Sequence, residues 1–309
     1  MLIRTIFISL NHVLRLIYGG FYYIFFKHPY IGDIWDKKLD INKSDLVLEI
    51  GSGWNPSIRS DVLVEKYLFD QSERRYIAYI PKNRPFVVAD GCHLPFVNNA
   101  FDYVICRHVI EHLEEPEELL KEIKRVSRKG YISAPSGYWE SISSGKYHKW
   151  FVFTQTDKLI LEQKIERADR KYKKNTTKEK VEKEAHYEFN FQRPLEWEII
   201  KRTPIEEFVF AELDQDYEKS LLIASQKRYP ILVRLKILFR EAVRQLFFKT
   251  AKRVNVFDLF ACPVCRSKLV NRTNELFCDN CNRQYQVINH IPILLVKTKN
   301  IDKSLKCKQ

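Results

Sequence analysis

The sequence predicts an α/β fold, in which a doubly wound, mostly parallel sheet precedes a small C-terminal domain. Several short apolar runs end in polar or small residues, and an amphipathic helix separates two of them, as in a sheet covered by helices. Two Cys-x2-Cys pairs near the C-terminus predict the second domain. The 309 residues are enough for one domain of each kind with additional segments around them.

The first apolar run, residues 47–50, leads directly into Gly51 and Gly53. Two glycines at this spacing let the backbone turn sharply after a strand and leave its N–H groups open to a ligand. Plain tight turns share this pattern, so it indicates a nucleotide-type cofactor only in combination with the rest of the segment.

Further strands and one helix follow in regular order. Residues 114–126 have acids and Pro116 in the first turn, bases in the last turn and apolar residues at helical spacing, which predicts a helix. Apolar runs that predict strands of the same sheet occur at residues 86–91, 101–106, 130–135, 197–200 and 208–210.

Strand, helix and strand in succession predict an open doubly wound sheet. Ligands of such sheets bind at the carboxyl ends of the strands. Gly51, Asp90 and Arg107 each follow or end a predicted strand, so we expect them to meet in one crevice.

Three segments in this order and spacing make residues 40–215 resemble the class I S-adenosylmethionine-dependent methyltransferases, in particular the branch that modifies small molecules and glycans. These segments are residues 47–56, 89–96 and 101–113. The resemblance implies a Rossmann-like methyltransferase fold and S-adenosylmethionine as the cofactor.

The resemblance also implies how the first segment contacts the cofactor. Glu49 would hold the methionine ammonium, and the backbone of Gly51, Ser52 and Gly53 would pack against the methionine and ribose. The chain departs from the family pattern at Asn55, where a third glycine is usual, and Pro56 follows at once. We therefore expect the helix that normally begins here to be shortened or displaced.

The later segments would bind the nucleoside. By resemblance, Glu65 would accept hydrogen bonds from the ribose hydroxyls, with Asp70 as the alternative. Asp90 would accept from the adenine amino group, and Gly91 and Cys92 would border the ring. Arg107 completes the implied cofactor site.

Methyl transfer from a sulfonium is an in-line displacement, so a hydroxyl acceptor additionally needs a base to remove its proton. His108 follows the strand at 101–106, and His148 lies in residues 136–153, which resemble the acceptor-binding segment of the glycan-modifying branch. We interpret these two histidines as the catalytic candidates. His112, one helical turn beyond His108, is interpreted as structural.

The C-terminal cysteines predict a metal site. Four thiolates in two Cys-x2-Cys pairs can close the tetrahedral coordination that structural zinc prefers: Cys262, Cys265, Cys278 and Cys281. The other three cysteines are isolated, as in a reducing compartment, which favours a cytoplasmic location. Residues 257–295 also resemble the short zinc-ribbon proteins that activate tRNA and protein methyltransferases, and this implies a stabilising module without catalytic groups.

The formal charge of +13 is unevenly distributed. Four segments hold the excess of bases and the rest of the chain is net negative, so a nucleic-acid surface on the catalytic core is disfavoured. The basic segments are residues 1–32, 164–184, 227–253 and 297–309. For residues 164–184, which are highly charged and poor in apolar residues, we expect a solvated helix or insertion.

Two basic segments are also apolar. In residues 227–253 apolar residues recur at helical spacing with bases between them, as in helices that lie in a membrane interface. Residues 1–32 are largely apolar and aromatic, but the longest uncharged run after Arg15 is too short to span a bilayer. Two such anchors favour peripheral attachment to an anionic inner membrane face. The alternative is that both segments pack on the protein itself.

The sequence therefore predicts a cytoplasmic S-adenosylmethionine-dependent methyltransferase with a fused zinc ribbon, acting on a sugar or lipid-linked acceptor. The alternatives are a tRNA or protein methyltransferase and a degenerate, zinc-stabilised binding scaffold. We divide the chain into an apolar N-terminal segment, the methyltransferase domain, a basic amphipathic linker helix, a zinc-ribbon domain and a basic tail: residues 1–32, 33–226, 227–253, 254–300 and 301–309.

Overall fold

The structure is a computed structural model. The residues that it describes do not include the N-terminal segment, the basic tail, both ends of the linker, Asp70, most of the stretch 164–184 or the strand expected at 208–210. The described residues are 39–69, 74, 76–136, 140, 147–155, 158–164, 186–192, 194–201, 219, 221, 229–248 and 255–296.

The predicted doubly wound, mostly parallel sheet is confirmed. Its five central strands run parallel in the order β3-β2-β1-β4-β5. The order reverses between β1 and β4, which places a crevice for ligands at the carboxyl ends of these two strands. The strands are β1 (Val47–Ile50), β2 (Val62–Glu65), β3 (Phe86–Ala89), β4 (Phe101–Arg107) and β5 (Ser127–Pro135).

The sheet is covered by the helix predicted from the charge pattern, α1 (Pro116–Val126). Its proline stands at the first helical positions, with acids in the first turn and bases in the last, as suits the helix dipole. Leu119, Leu120 and Ile123 are fully buried against the sheet. The apolar stripe read from the sequence is therefore the face that packs on the core.

The outer strands correct one prediction. The strand expected at 197–200, observed as β9 (Glu196–Ile200), does not complete the main sheet but joins a separate three-stranded sheet with β6 (Trp150–Gln155) and β7 (Lys158–Gln163). The antiparallel edge beside β5 is taken by β8 (His186–Gln192). The ring of Phe191 on β8 fits there because Gly130 on β5 has no side chain; a Cβ would lie 2.5 Å from the ring.

The segment between β1 and β2, residues 51–61, contains turns and no helix, in line with the effect expected of Pro56. Helix α2 (Ile231–Val243), which continues into a π-helical turn, Arg244–Phe248, packs on this segment instead. Arg240 donates to the Pro56 carbonyl, and Arg244 donates to the Ser60 carbonyl at 3.0 Å. The linker helix thus supplies hydrogen-bond donors to a stretch of backbone that lacks helical hydrogen bonds.

Helix α2 and the turn after it bury two basic side chains. Arg240 and Arg244 are buried, because the Pro56 to Asp61 segment presents carbonyl and carboxylate oxygens toward them. Large apolar side chains face outward beside exposed Arg234: Ile231, Leu235, Leu238 and Leu246 are each more than half exposed. Within the described part of the chain, no helix has the length and apolar character needed to cross a bilayer.

The C-terminal domain is joined to the main sheet. Its last strand pairs in parallel with β3, with Ile293 beside Val88 and Leu294 beside Ala89. Phe260 is fully buried and stacks on Phe96 of the catalytic domain at 5.7 Å. The domain consists of β10 (Val270–Arg272), β11 (Glu275–Cys278), β12 (Arg283–Ile288) and β13 (Ile291–Leu294) in antiparallel succession.

Replacing Arg244 by methionine should strongly destabilise the protein. Arg244 donates to the Asp61 carboxylate at 2.9 Å, and both side chains are buried, so the variant leaves a buried carboxylate without its cation. We expect a loss of about 3 to 5 kcal/mol in the free energy of unfolding, measured by urea denaturation. Arg234→Met on the exposed face of the same helix is the matched control and should cost less than about 0.5 kcal/mol. Equal midpoints for the two variants would contradict the docked orientation of α2.

Candidate active site

The glycine loop lies at the carboxyl end of β1, at the predicted crevice. Gly51 has φ +68° and Gly53 has φ +55°, in the left-handed region that side chains disfavour. A Cβ on Gly51 would also lie 2.3 Å from Cγ2 of Val109, whereas a Cβ on Gly53 would meet nothing closer than 3.7 Å. The two glycines are therefore required by backbone conformation, and Gly51 by close packing as well.

Glu49 lies beneath this loop and is buried. Its carboxylate accepts hydrogen bonds from the Ser57 amide at 2.6 Å, the Ser60 hydroxyl at 2.8 Å and Arg107 at 2.6 Å. Arg107 also donates to the Asn55 carbonyl at 3.0 Å. The structure thus brings Glu49 and Arg107 together, and their hydrogen bonds hold the loop after β1.

Glu65 ends β2 and faces the same loop. Its carboxylate accepts from the Gly53 amide at 2.9 Å and from the Arg74 guanidinium at 3.0 Å. Glu65 is therefore placed where a ribose beside the loop could reach it, but Arg74 holds that position in this structure. The sequence analysis missed Arg74, which has no motif around it.

Asp90 follows β3 and is likewise paired. It accepts from the Cys92 amide at 2.9 Å, which caps the short 3-10 turn Gly91–His93, and from the Lys66 ammonium at 2.7 Å. Burial alone would raise the pKa of Asp90, but Lys66 beside it holds that pKa below its ordinary value. Lys66 was also missed, although its position directly after Glu65 places it at the end of a strand that borders the crevice.

Cys92 lies next to this pair, and burial raises the pKa of its thiol to about 12. A thiol with this pKa stays protonated near neutral pH, so it can line a pocket but is no nucleophile.

The glycine loop and the acids Glu49, Glu65 and Asp90 are the groups of this crevice that suit a nucleotide-type cofactor. The hydroxyl of Ser52, inside the glycine loop, is buried without a hydrogen-bond partner among the described residues, so it is available to a ligand. Each predicted acid, however, has a basic partner inside the crevice: Glu49 with Arg107, Glu65 with Arg74 and Asp90 with Lys66. A ligand that uses Glu65 or Asp90 has to displace or share these bases.

A cluster of histidines follows β4, directly beside the glycine loop. His108 has φ +53°, and its Nδ1 lies 3.2 Å from Oε1 of Glu111. Glu111 is buried, and Nε2 of His112 lies 4.0 Å from the same oxygen. Val109, between these residues, is the side chain that touches Gly51. The cluster therefore borders the predicted cofactor site.

His148 reaches the cluster from the start of β6. Its Nδ1 lies 2.5 Å from Oε1 of Glu140, and its ring packs edge-on against the ring of His112 at 4.6 Å. The structure thus brings the two candidates His108 and His148 to one region, together with His112, which we had interpreted as structural. The sequence signal for Glu111 and His112 was visible in the spacing His108-x-x-Glu111-His112.

The four C-terminal cysteines also come together. The sulfurs of Cys262 and Cys281 are 3.6 Å apart, and those of Cys265 and Cys278 are 3.4 Å apart. A tetrahedron of thiolates with bonds of about 2.3 Å has its sulfurs about 3.8 Å apart, so the cluster has the dimensions of a four-thiolate metal site.

Residues 50–133 match the family of the methyltransferase domain. The chain therefore carries a methyltransferase domain. An uncharacterized methyltransferase of Mycobacterium leprae is 30% identical over 108 residues, which are 32% of this chain and 40% of that protein. This chain thus spans well under half of the length of the curated relatives that it matches.

Solved structures are similar over parts of this chain. An S-adenosylmethionine-dependent methyltransferase of Thermotoga maritima is 18% identical, covering 40% of this chain and 59% of that one with a TM-score of 0.30. A chain of the complex between the Haloferax volcanii Trm112 methyltransferase activator and its methyltransferase is 17% identical, covering 42% and 72% with a TM-score of 0.29.

Alanine substitutions should distinguish the two glycines of the loop. Gly53→Ala places a side chain in the left-handed region with room around it, and we expect a loss of about 1 to 2 kcal/mol in the free energy of unfolding. Gly51→Ala adds the collision with Val109, and we expect a loss of about 2 to 5 kcal/mol. Urea denaturation of both variants measures the difference. Similar losses at the two positions would show that Val109 can move away from the added methyl group without lowering the free energy of unfolding.

Proposed function

We propose that the protein transfers a methyl group from S-adenosylmethionine to a hydroxyl of a sugar or lipid-linked acceptor. The observation that carries the cofactor assignment is the glycine loop at the switch point of the sheet, with Glu65 and Asp90 at the ends of the next two strands. The buried Ser52 hydroxyl supplies a further group for the ligand.

Bound S-adenosylmethionine supplies an electrophilic methyl group on a sulfonium. The chain then has to hold the nucleoside, align the acceptor and accept a proton. Asp90 and Glu65 would hold the adenine amino group and the ribose hydroxyls, in competition with their present partners Lys66 and Arg74. His108 is the better placed proton acceptor, because its side chain is 40% exposed and Glu111, 3.2 Å from its Nδ1, orients the ring.

The C-terminal domain acts as a zinc ribbon that supports the cofactor site. Zinc bound by the four cysteines supplies the folding energy that so small a domain lacks. The ribbon in turn holds the segment after Asp90, because the Ala261 amide donates to the Pro95 carbonyl at 3.0 Å and the Val97 amide to the Leu259 carbonyl at 2.9 Å. A closed four-cysteine site has no position for a substrate or water, so its role is structural.

A second candidate is a binding scaffold without methyltransferase activity. The ion pairs of Lys66 with Asp90 and of Arg74 with Glu65 favour it, because they occupy the acceptors that the nucleoside would use.

Calorimetry with S-adenosylhomocysteine separates the two candidates. We expect the parent protein to bind it and Asp90→Asn to bind it about 10- to 100-fold more weakly, since the loss of one buried hydrogen bond costs about 1 to 3 kcal/mol. Lys66→Met should tighten binding by up to about fivefold, because a partly exposed ion pair of about 1 kcal/mol no longer competes for Asp90. A parent protein that does not bind S-adenosylhomocysteine would favour the scaffold.

We further propose that the outward face of α2 attaches the protein to an anionic membrane surface on the cytoplasmic side. Ile231, Leu235, Leu238 and Leu246 recur at helical spacing on this face and are exposed. Exposed Arg234 lies among them, and the apolar N-terminal segment offers a second anchor. A membrane location fits a lipid-linked acceptor better than a free RNA or protein substrate.

Leu235→Gln combined with Leu238→Gln should reduce cosedimentation with vesicles of phosphatidylcholine and phosphatidylglycerol. Both side chains are exposed, so the fold is unaffected while the apolar face is interrupted. Burial of each leucine contributes about 1.5 to 3 kcal/mol, so binding should fall by more than tenfold. Val264→Gln combined with Val270→Gln, at exposed apolar positions of the C-terminal domain, is the matched control. A parent protein that remains in the supernatant at low salt would contradict the membrane proposal.

A further inference from the structure

We propose that Glu111, His112 and His148 bind a divalent transition-metal ion beside the glycine loop, at a site separate from the cysteine cluster. One ligand atom from each of these three residues lies within 4.8 Å of the others. Bonds of about 2.0 to 2.2 Å to one ion require ligand atoms about 3 to 4 Å apart, so a contraction of about 1 Å closes the site.

The buried carboxylate of Glu111 favours a cation at this position. The side chain is about 1% exposed, and its Oε2 has no hydrogen-bond partner among the described residues. An ionised carboxylate oxygen buried in this way is unfavourable unless a positive charge compensates it. His108 and His112 both approach the other oxygen, Oε1, so Oε2 is the atom that a metal ion would take.

The surroundings of His148 have the form expected around a metal ligand. Its Nδ1 lies 2.5 Å from Glu140, which is itself buried and is paired with Lys164. Histidines that bind metal ions usually donate their other ring N–H to a carboxylate, which fixes the tautomer and aims the remaining nitrogen. Here Glu140 engages Nδ1, so Nε2 is the ligand atom of His148.

The donor set indicates which ions fit. Two imidazoles and one carboxylate suit Zn²⁺, Mn²⁺, Fe²⁺ or Co²⁺ and leave coordination positions open, whereas Mg²⁺ and Ca²⁺ prefer oxygen ligands alone. If the proposed function is right, an acceptor hydroxyl that occupies an open position would be oriented next to the cofactor and would lose its proton more readily. This role rests on the proposed function, whereas metal binding itself does not.

The test uses the full chain loaded with one equivalent of zinc, which the four cysteines bind in preference, with Mn²⁺ as the probe. Mn²⁺ prefers oxygen and imidazole ligands to thiolates, so it reports on this cluster and not on the cysteines. We expect one zinc and one manganese per chain by elemental analysis, and loss of the free Mn²⁺ signal in paramagnetic resonance titrations. Cys265→Ser, prepared without added zinc, should still bind one manganese.

Substitutions in the cluster should change manganese binding alone. His112→Gln combined with His148→Gln should abolish it while one zinc per chain remains. Glu140→Gln, which keeps all three ligands and loses the carboxylate behind His148, should weaken it about 10- to 100-fold. His290→Gln, at an exposed histidine of the C-terminal domain, is the control and should bind manganese like the parent.

Two results would overturn the metal site: a parent protein that takes up no manganese, or parent-like binding by both the double variant and Glu140→Gln. Thermal unfolding followed by circular dichroism establishes that each variant is folded, and Glu140→Gln remains informative if the double variant is not. S-adenosylhomocysteine affinity, measured on the same samples, is the independent readout of the proposed function. A protein that binds manganese but not S-adenosylhomocysteine would support the metal site and contradict the proposed methyltransferase function.

Discussion

The buried polar segment between β1 and β2 is the constraint on which the rest of the structure depends. No helix forms there, so the backbone of residues 51–61 needs hydrogen-bond partners from elsewhere. Buried side chains supply them. Glu49 accepts from Ser57 and Ser60, while Arg84 donates to the carbonyls of both and pairs with Glu241 of α2. The glycine loop is thereby held in place by charges rather than by a helix.

This constraint explains why α2 is oriented against its apparent amphipathicity. A linker helix with apolar and basic residues would ordinarily bury the apolar ones. Here its buried partners are carbonyl and carboxylate oxygens, so Arg240 and Arg244 point inward and a stripe of leucines is left outside. The same helix therefore stabilises the cofactor loop and presents the surface that we propose for membrane attachment.

Some residues of the candidate site could be predicted from the sequence, whereas their partners in the folded protein could not. Gly51, Gly53 and Asp90 follow strands whose order is predictable, and parallel strands bring their carboxyl ends together. Lys66 and Arg74 were not predictable, because the pairing of a base with an acid depends on rotamers and on the distance between neighbouring strands. His148 was a candidate from the sequence, but its contact with His112 depends on how the strand after it packs on the main sheet.

The sequence by itself determined β1, β3, β4, β5 and α1, the position of the glycine turn and the positions of the four cysteines, because periodicity, charge order and spacing are local properties. Tertiary structure alone decided that Glu196–Ile200 joins a second sheet and that the C-terminal domain extends the main sheet through β3. It also decided that Arg240 and Arg244 are buried while Leu235 and Leu238 are exposed. Each of these depends on which edges and which polar atoms are left unsatisfied after the core has formed, and that is a property of the assembled chain.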